Sequence, residues 1–418
     1  MRLKQVLLRG LDRFLEANAG FIRLFLDNPA GRKFFLDKYL RNRPSLFFSY
    51  YRSKPPAGNS KNILILKTDA IGDYLLFRNF LKDISRQYKP GGYRIFLAGN
   101  LLWKDLALEL DGSLLDGSFW LDRRGLNVKP GEARQIEFLQ QINRRTYARL
   151  LYPNFSREWE AGDWLAAHIP APEKWAYDGN LINETETQHR QGNGFYNFLI
   201  HPRPGVQFDF FRNCDIVSAF LGREAQSLKP AIRGIVPEPP VQGPYAVIFP
   251  GASHDSKRWP AEGFSGLAAF LEKEFKGKVV LAGSAAEADL CREIALAAPV
   301  SGLNLAGKTT VSGLLKLIAG ADVLISNDTA ALHMGIQCGI PSLALWKGNH
   351  YGRFLPYPEE DFPNVRICMP PSLETLGREK LEAEYGENYG ADISGIPLEK
   401  VTTELAQMLG MEPTSTPR

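Results

Sequence analysis

Short apolar runs alternate with amphipathic stretches through most of this chain. Asn62–Leu66 (NILIL) is apolar after its first residue, the pattern of a short buried strand. A loop, Lys67–Asp73, follows it, and a helix-like run begins at Tyr74. Tyr93–Ala98 predicts the next strand and Leu101–Leu110 another helix, an alternation that points to a parallel sheet with helices on both faces. From Tyr152 to Gly234 no clear period survives, and this stretch reads as an irregular remainder of the first domain.

The prolines of Val236-Pro237-Glu238-Pro239-Pro240 break helix and strand alike and mark a linker. Alternation then resumes: strands at Tyr245–Phe249, Lys278–Ala282, Asp322–Ser326 and Ser342–Trp346, with helices at Ala261–Phe275, Glu287–Ala297, Val311–Ala319 and Ala330–Cys338. Pro397–Leu409 has helical spacing, and Glu412–Arg418 reads as a frayed tail. The predicted division is a helical extension over 1–58, an α/β domain over 59–236, a second α/β domain over 241–396, and a terminal helix and tail over 397–418.

The N-terminal extension has its own character. Leu3, Val6, Leu7, Leu11, Phe14 and Leu15 share one helical face, a second apolar cluster, Phe21–Leu26, stops near Asn28-Pro29, and a third, Phe34–Leu40, is flanked by Arg and Lys. Residues 1–54 hold 12 Lys/Arg against 4 Asp/Glu, a net +8 in a chain whose total is +4. Basic amphipathic helices carrying aromatic residues suit an anionic membrane surface, although the same helices can simply pack on the next domain. No stretch reaches the roughly 20 apolar residues of a membrane span, and Arg9, Asp12 and Arg13 interrupt any signal-peptide core. The expectation is a cytoplasmic protein, peripheral on the inner membrane face if the basic helices engage lipid.

Composition narrows the function classes. With 44% hydrophobic and 23% charged residues the chain is an ordinary globular one, and its small net charge gives no reason to expect nucleic acid. The four cysteines show no C-x-x-C spacing, which argues against a zinc site or redox pair.

Ligands of open α/β sheets bind beyond the carboxyl ends of the strands, so the candidate chemistry lies in the loops there. In Lys67–Asp73, Gly72 permits a tight turn and Asp73 stands at a helix start, where a carboxylate also fits as a cap. This loop lacks the G-x-G-x-x-G spacing of a nicotinamide enzyme. In Pro250–Pro260, small residues including Ser253 let backbone N–H groups approach phosphate oxygens, which Lys257 or Arg258 can neutralise. Ser326–His333 brings another helix N-terminus, with Thr329 adding a hydroxyl, Asp328 orienting the turn or meeting a substrate hydroxyl, and His333 donating to phosphate or packing. Glu287 can accept from ribose hydroxyls while also favouring the start of its helix. Asn349, His350 and Arg353 crowd the glycine-framed loop Lys347–Phe354, an uncommon density of ligand-capable groups for a structural turn.

Together, Lys-Thr-Asp-Ala-Ile-Gly-Asp, Pro-Gly-Ala-Ser before Lys-Arg-Trp-Pro, and Ser-Asn-Asp-Thr-Ala with His333 resemble glycosyltransferase family nine, the ADP-heptose:lipopolysaccharide heptosyltransferases. The resemblance runs from about Asn62 to Pro358. It implies the GT-B fold, two Rossmann-like domains facing a cleft, and inverting transfer of a sugar from a nucleoside-diphosphate donor, ADP-heptose in that family, to a glycan or glycolipid acceptor. No metal or other cofactor is implied, and no D-x-D run occurs here. Carried over, Asp73 resembles the general base, Lys257 the cation on the departing diphosphate, Thr329 and Ala330 its backbone donors, Asp328 a donor-sugar contact and Glu287 the ribose ligand. Ala330 stands where many members have glycine, and both the basic extension and the 348–354 loop depart from the family pattern. Rival readings are a transferase with another nucleotide sugar, a sugar-nucleotide epimerase of the same fold, and an inactive membrane-surface scaffold.

Overall fold

A computed structural model describes residues 60–123, 133–298, 302–386 and 390–411. The predicted basic helices of 1–58 and the tail at 412–418 lie outside the described residues. The rest forms two parallel sheets. In the first, β1 (Asn62–Lys67), β2 (Arg94–Asn100), β3 (Gly117–Leu121), β4 (Arg149–Tyr152), β5 (Glu173–Tyr177) and β6 (Phe198–Ile200) stand in the order β3-β2-β1-β4-β5-β6. The second holds β7 (Tyr245–Phe249), β8 (Lys278–Leu281), β9 (Val323–Asn327), β10 (Ser342–Leu345) and β11 (Val365–Cys368) in the order β11-β10-β9-β7-β8.

The central strands are apolar throughout because both of their faces are covered. Ile63, Leu64, Ile65 and Leu66 are fully buried; Ile63 and Ile65 enter one apolar cluster, Leu64 and Leu66 another. In the second sheet Val247 joins the same cluster as Ile63, whereas Ala246 and Ile248 join a third. One apolar cluster therefore runs through the inner faces of both sheets. Helix–helix contacts carry it across: Ile71–Phe77 packs on Ala330–Cys338, and Lys104–Asp111 on Val311–Ala319. At the latter contact the Asp105 carboxylate accepts from the Ser312 N–H (3.0 Å), capping a helix of the opposite domain.

Strand order reverses beside β1 in the first sheet and beside β7 in the second. In sheet one β1 leads outward to β2 and β3, then the chain returns to its other side for β4; in sheet two β7 leads to β8, then returns for β9. Each reversal opens a crevice at the carboxyl ends of the central strands. The two crevices face each other.

The structure corrects several expectations. Residues 152–234 are not irregular: they contain β5, β6 and helices Trp164–His168, Glu186–Asn193 and Asp209–Leu221. Their signal is weak because β6 has three residues, is only partly covered and leaves Phe198 40% exposed at the sheet edge. β11 and helix Arg378–Tyr385 were likewise not anticipated; the helix buries only Leu381, so it carries no apolar stripe. β2 runs two residues past the predicted end, through Gly99, where a Cβ would press into the Trp103 and Trp120 rings.

Candidate active site

Two adjoining cavities fill the cleft. The first, about 220 Å³, lies over the carboxyl ends of β1 and β4 and is walled by Lys67, Asp69, Asn154, Ser156, Asn183, Asp209, Arg212, His350 and Arg353. The second, about 490 Å³, opens against the second domain and is walled by Ser253, Lys257, Glu287, Asp328, Thr329, Ala330 and His333. Asp73, Ala70 and Phe354 line both.

Asp73 is the third residue of helix Ile71–Phe77, whose N-cap is Ala70, and it makes no capping bond. The alternative of a capping carboxylate therefore does not describe this side chain. Enclosure in the cleft pushes its pKa up to about 7; the neighbouring Asp69 carboxylate adds to the rise, Lys67 opposes it, and Asp209 and Arg353 act more weakly in opposite senses. Asp73 is thus poised to exchange a proton near neutrality.

The second-domain loops are held as one piece by Asn327, which is fully buried at the end of β9. Its amide nitrogen donates to Pro250 O (2.8 Å) and Gly251 O (3.1 Å), and its oxygen accepts from Trp259 N (3.1 Å). Both sides of the predicted phosphate site are thereby fastened to a single side chain. Lys257 reaches Asp328 at 3.6 Å, and Asn349 donates to the same Asp328 oxygen at 3.3 Å. The Thr329 hydroxyl turns inward to Ser326 (3.0 Å), whose own proton goes to Asn327 O, so the free donors at this helix end are backbone N–H groups. Glu287 closes a capping box with Ser284, accepting from its N–H at 2.7 Å, and packs where a Cβ on Gly251 would meet it at 2.8 Å. Its capping and its cavity-facing position coexist, as the sequence allowed.

His333 is buried and meets Tyr357 Oη at 2.7 Å through Nδ1. Gln337 donates to the same phenol (3.2 Å), so we assign the phenol proton to His333 Nδ1 and the imidazole's own proton to Nε2. Burial lowers the pKa of His333, leaving it a neutral donor at the cavity wall. A Cβ on Gly72 would sit 3.1 Å from its ring, so glycine there lets the two domains approach.

The 348–354 loop divides in role. Asn349 is buried behind Asp328 and lines neither cavity. His350, with φ 51°, lines the first cavity, and burial followed by the Arg353 and Lys257 charges pushes its pKa down to about 4. Arg353 spans the domains: its Nη2 and Nε donate to Asp209 at 3.0 and 3.2 Å, and its carbonyl accepts from Asp209 N at 2.9 Å. Sequence reasoning missed Asp69, Asp209, Arg212 and Tyr357. The Lys67–Asp73 loop displayed Asp69 without a way to rank it, and nothing local links Asp209 to Arg353.

Residues 213–374 match the family model for glycosyltransferase family 9 (heptosyltransferase). The chain is 30% identical over 135 residues to lipooligosaccharide heptosyltransferase 2 of Campylobacter jejuni, covering 31% of this chain and 42% of that protein. Over 108 residues it is 32% identical to the enzyme of the same name from Haemophilus influenzae, covering 25% and 31%. The match therefore spans less than half the length of these curated relatives. Solved structures agree over more of the chain: a family 9 glycosyltransferase from Veillonella parvula superposes with a TM-score of 0.64 at 18% identity, over 85% of this chain and 99% of the other. Escherichia coli heptosyltransferase WaaC with ADP gives 0.59 at 16% identity, over 83% and 99%. The expected GT-B architecture of two facing parallel-sheet domains is thus met, and residues 213–374 of the chain are similar to glycosyltransferase family 9.

Proposed function

We propose that this protein transfers a sugar, heptose-like, from a nucleoside-diphosphate sugar to a lipopolysaccharide or related surface-glycan acceptor, with inversion and without a metal. The observation that carries the reading is the position of Asp73 at the junction of the two cavities. The donor lies in the second cavity, its diphosphate facing Lys257, Ser253, His333 and the Thr329 and Ala330 N–H groups, its ribose near Glu287 and its sugar near Asp328. ADP is the nucleotide named with the WaaC neighbour, and ADP-heptose is the donor adopted here. The acceptor enters the first cavity.

The acceptor hydroxyl gives its proton to Asp73 as its oxygen attacks the anomeric carbon. The bond from that carbon to the diphosphate oxygen breaks on the far face, and the electron pair leaves with the nucleotide. Lys257 and the helix N-terminus stabilise the charge that develops there. Base and leaving-group stabiliser come from opposite domains, so closure aligns the reaction. Residues 1–54 rest on an anionic membrane surface in this reading, bringing the cleft to a lipid-anchored acceptor.

The test is transfer from ADP-heptose to heptose-acceptor lipopolysaccharide by wild type and Asp73→Ala, with ADP binding measured in parallel. We expect a loss of at least about a hundredfold in turnover with ADP affinity kept. Near-normal turnover by the variant would overturn the base assignment.

A further inference from the structure

Asp69 is pinned from several sides yet leaves one oxygen unanswered. Its Oδ2 takes the Lys67 ammonium at 2.6 Å, and Lys67 is itself held by Asn154 Oδ1 at 3.0 Å. The Asp69 carbonyl accepts from Asn100 Nδ2 (3.2 Å) and Trp103 Nε1 (3.0 Å), and Trp103 stacks on Tyr74 with ring centroids 4.2 Å apart. With backbone and one oxygen so fixed, Oδ1 is enclosed without a hydrogen-bond partner, in the wall of the cavity that Asp73 also lines. An enclosed carboxylate oxygen bears its full desolvation cost unless a donor reaches it.

The charges of this wall say what kind of donor suits it. Lys67 is engaged by Asp69, and Arg212 and Arg353 by Asp209 at 2.8 and 3.0 Å. Glu158 is paired with Arg123 at 2.6 Å, and His350 adds no charge at neutral pH. Among the described wall residues, then, Arg212 and Arg353 share Asp209, so the three cations are balanced by Asp69, Asp209 and the ionised form of Asp73. With Asp73 ionised as a base, an acidic sugar or a phosphate would add negative charge in excess of that balance, beside the Asp69 and Asp73 carboxylates. A hydroxyl brings the donor that Oδ1 lacks.

We propose that the first cavity takes a neutral, polyhydroxylated sugar unit and that Asp69 holds it, Oδ1 accepting from one hydroxyl while Asp73 serves another. This rests on Asp73 being the base of a glycosyl transfer, and it names the class of acceptor unit and the residue that selects it. Asp69 thereby touches substrate without taking its proton.

The test uses the full-length protein with ADP present and two probes, methyl α-D-mannopyranoside as the neutral glycoside and methyl β-D-glucuronide as the acidic one. Affinities are read by saturation-transfer NMR titration on wild type, Asp69→Asn and Asp69→Ser, the last guarding against an effect peculiar to the amide. We expect wild type to bind the mannoside roughly tenfold more tightly than the glucuronide, and both variants to lose roughly tenfold in mannoside affinity, the scale of one hydrogen bond to a charged group. The proposal is overturned if the glucuronide binds as well as the mannoside, if neither variant loses mannoside affinity, or if wild type binds no mannoside. ADP titration of the same samples separates the two levels: failure of wild type to bind ADP strikes the transferase reading, whereas ADP binding with failed sugar arms strikes only Asp69.

Discussion

Replacing Asp73 by Asn should make the protein more stable at pH 7 and above. Its carboxyl moves from an ordinary 3.8 to about 7 on folding, chiefly because the cleft strips it of water. The sign follows from the proton count. Below about pH 4 the group is protonated in both folded and unfolded chains and contributes nothing. Between pH 4 and 7 the unfolded chain releases a proton that the folded one retains, so stability falls as pH rises, by about 1.4 kcal/mol per pH unit. Above pH 7 the penalty is complete, roughly 4 kcal/mol as an upper bound because the side chain is only partly buried. Asparagine has the same shape and carries no such penalty. Urea unfolding of both proteins at pH 5, 6, 7 and 8 should show a stability gain for Asp73→Asn that widens with pH and then levels, with the denaturant slope unchanged. A difference that stays flat from pH 5 to 8, or a variant less stable at pH 8, would refute the burial argument. With Asp73 as the proposed base, the same titration predicts that wild-type transfer declines as pH falls through 7, since its carboxyl is then protonated.

Three further outcomes follow from the geometry and sequence. Arg353→Met leaves Asp209 enclosed without its bidentate partner and should cost about 3–5 kcal/mol by chemical denaturation; a loss under 1 kcal/mol would mean that Arg212 alone satisfies it. Burial pushes the thiols of Cys291, Cys338 and Cys368 up to about 12, so at pH 8 maleimide should label none of them until the protein unfolds, as mass spectrometry of labelled peptides would read. Removing residues 1–54 deletes a net +8 and should abolish salt-sensitive binding to vesicles containing phosphatidylserine; equal sedimentation of full-length and truncated protein would count against the membrane reading.

What the sequence displayed and what it hid divide along a physical line. β1, β7, β9 and β10 are central parallel strands, apolar on both faces, and such runs can be seen without any partner. The loops after them were legible for the same reason, because a strand end in an open sheet is where a ligand goes. β6 and β11 stand at sheet edges, where half-covered strands mix polar and apolar residues and lose the pattern. Asp73 and Asp69 look alike in a string of letters; the difference is that one has Lys67 at 2.6 Å and the other does not. Asp209 and Arg353 lie 144 positions apart, and only folding both domains makes them a pair. Local pattern therefore gives the loops, and tertiary contact sorts the carboxylates within them.

The bond from Ser312 N–H to Asp105 has a consequence for how the halves can be handled. Thr310, Val311 and Leu314, on the first turn of that helix and beside it, form part of the wall of the larger cavity, and the turn is completed by a side chain from the other domain. The compartment proposed for the nucleotide is accordingly a shared construction. Cutting the chain at the proline-rich connection would yield a second half with an unfinished rim, and any swing that parts the sheets releases Ser312 N–H to water. If the proposed donor site is right, the strength of nucleotide binding is then a gauge of the angle between the two halves, readable without following the proposed transfer at all.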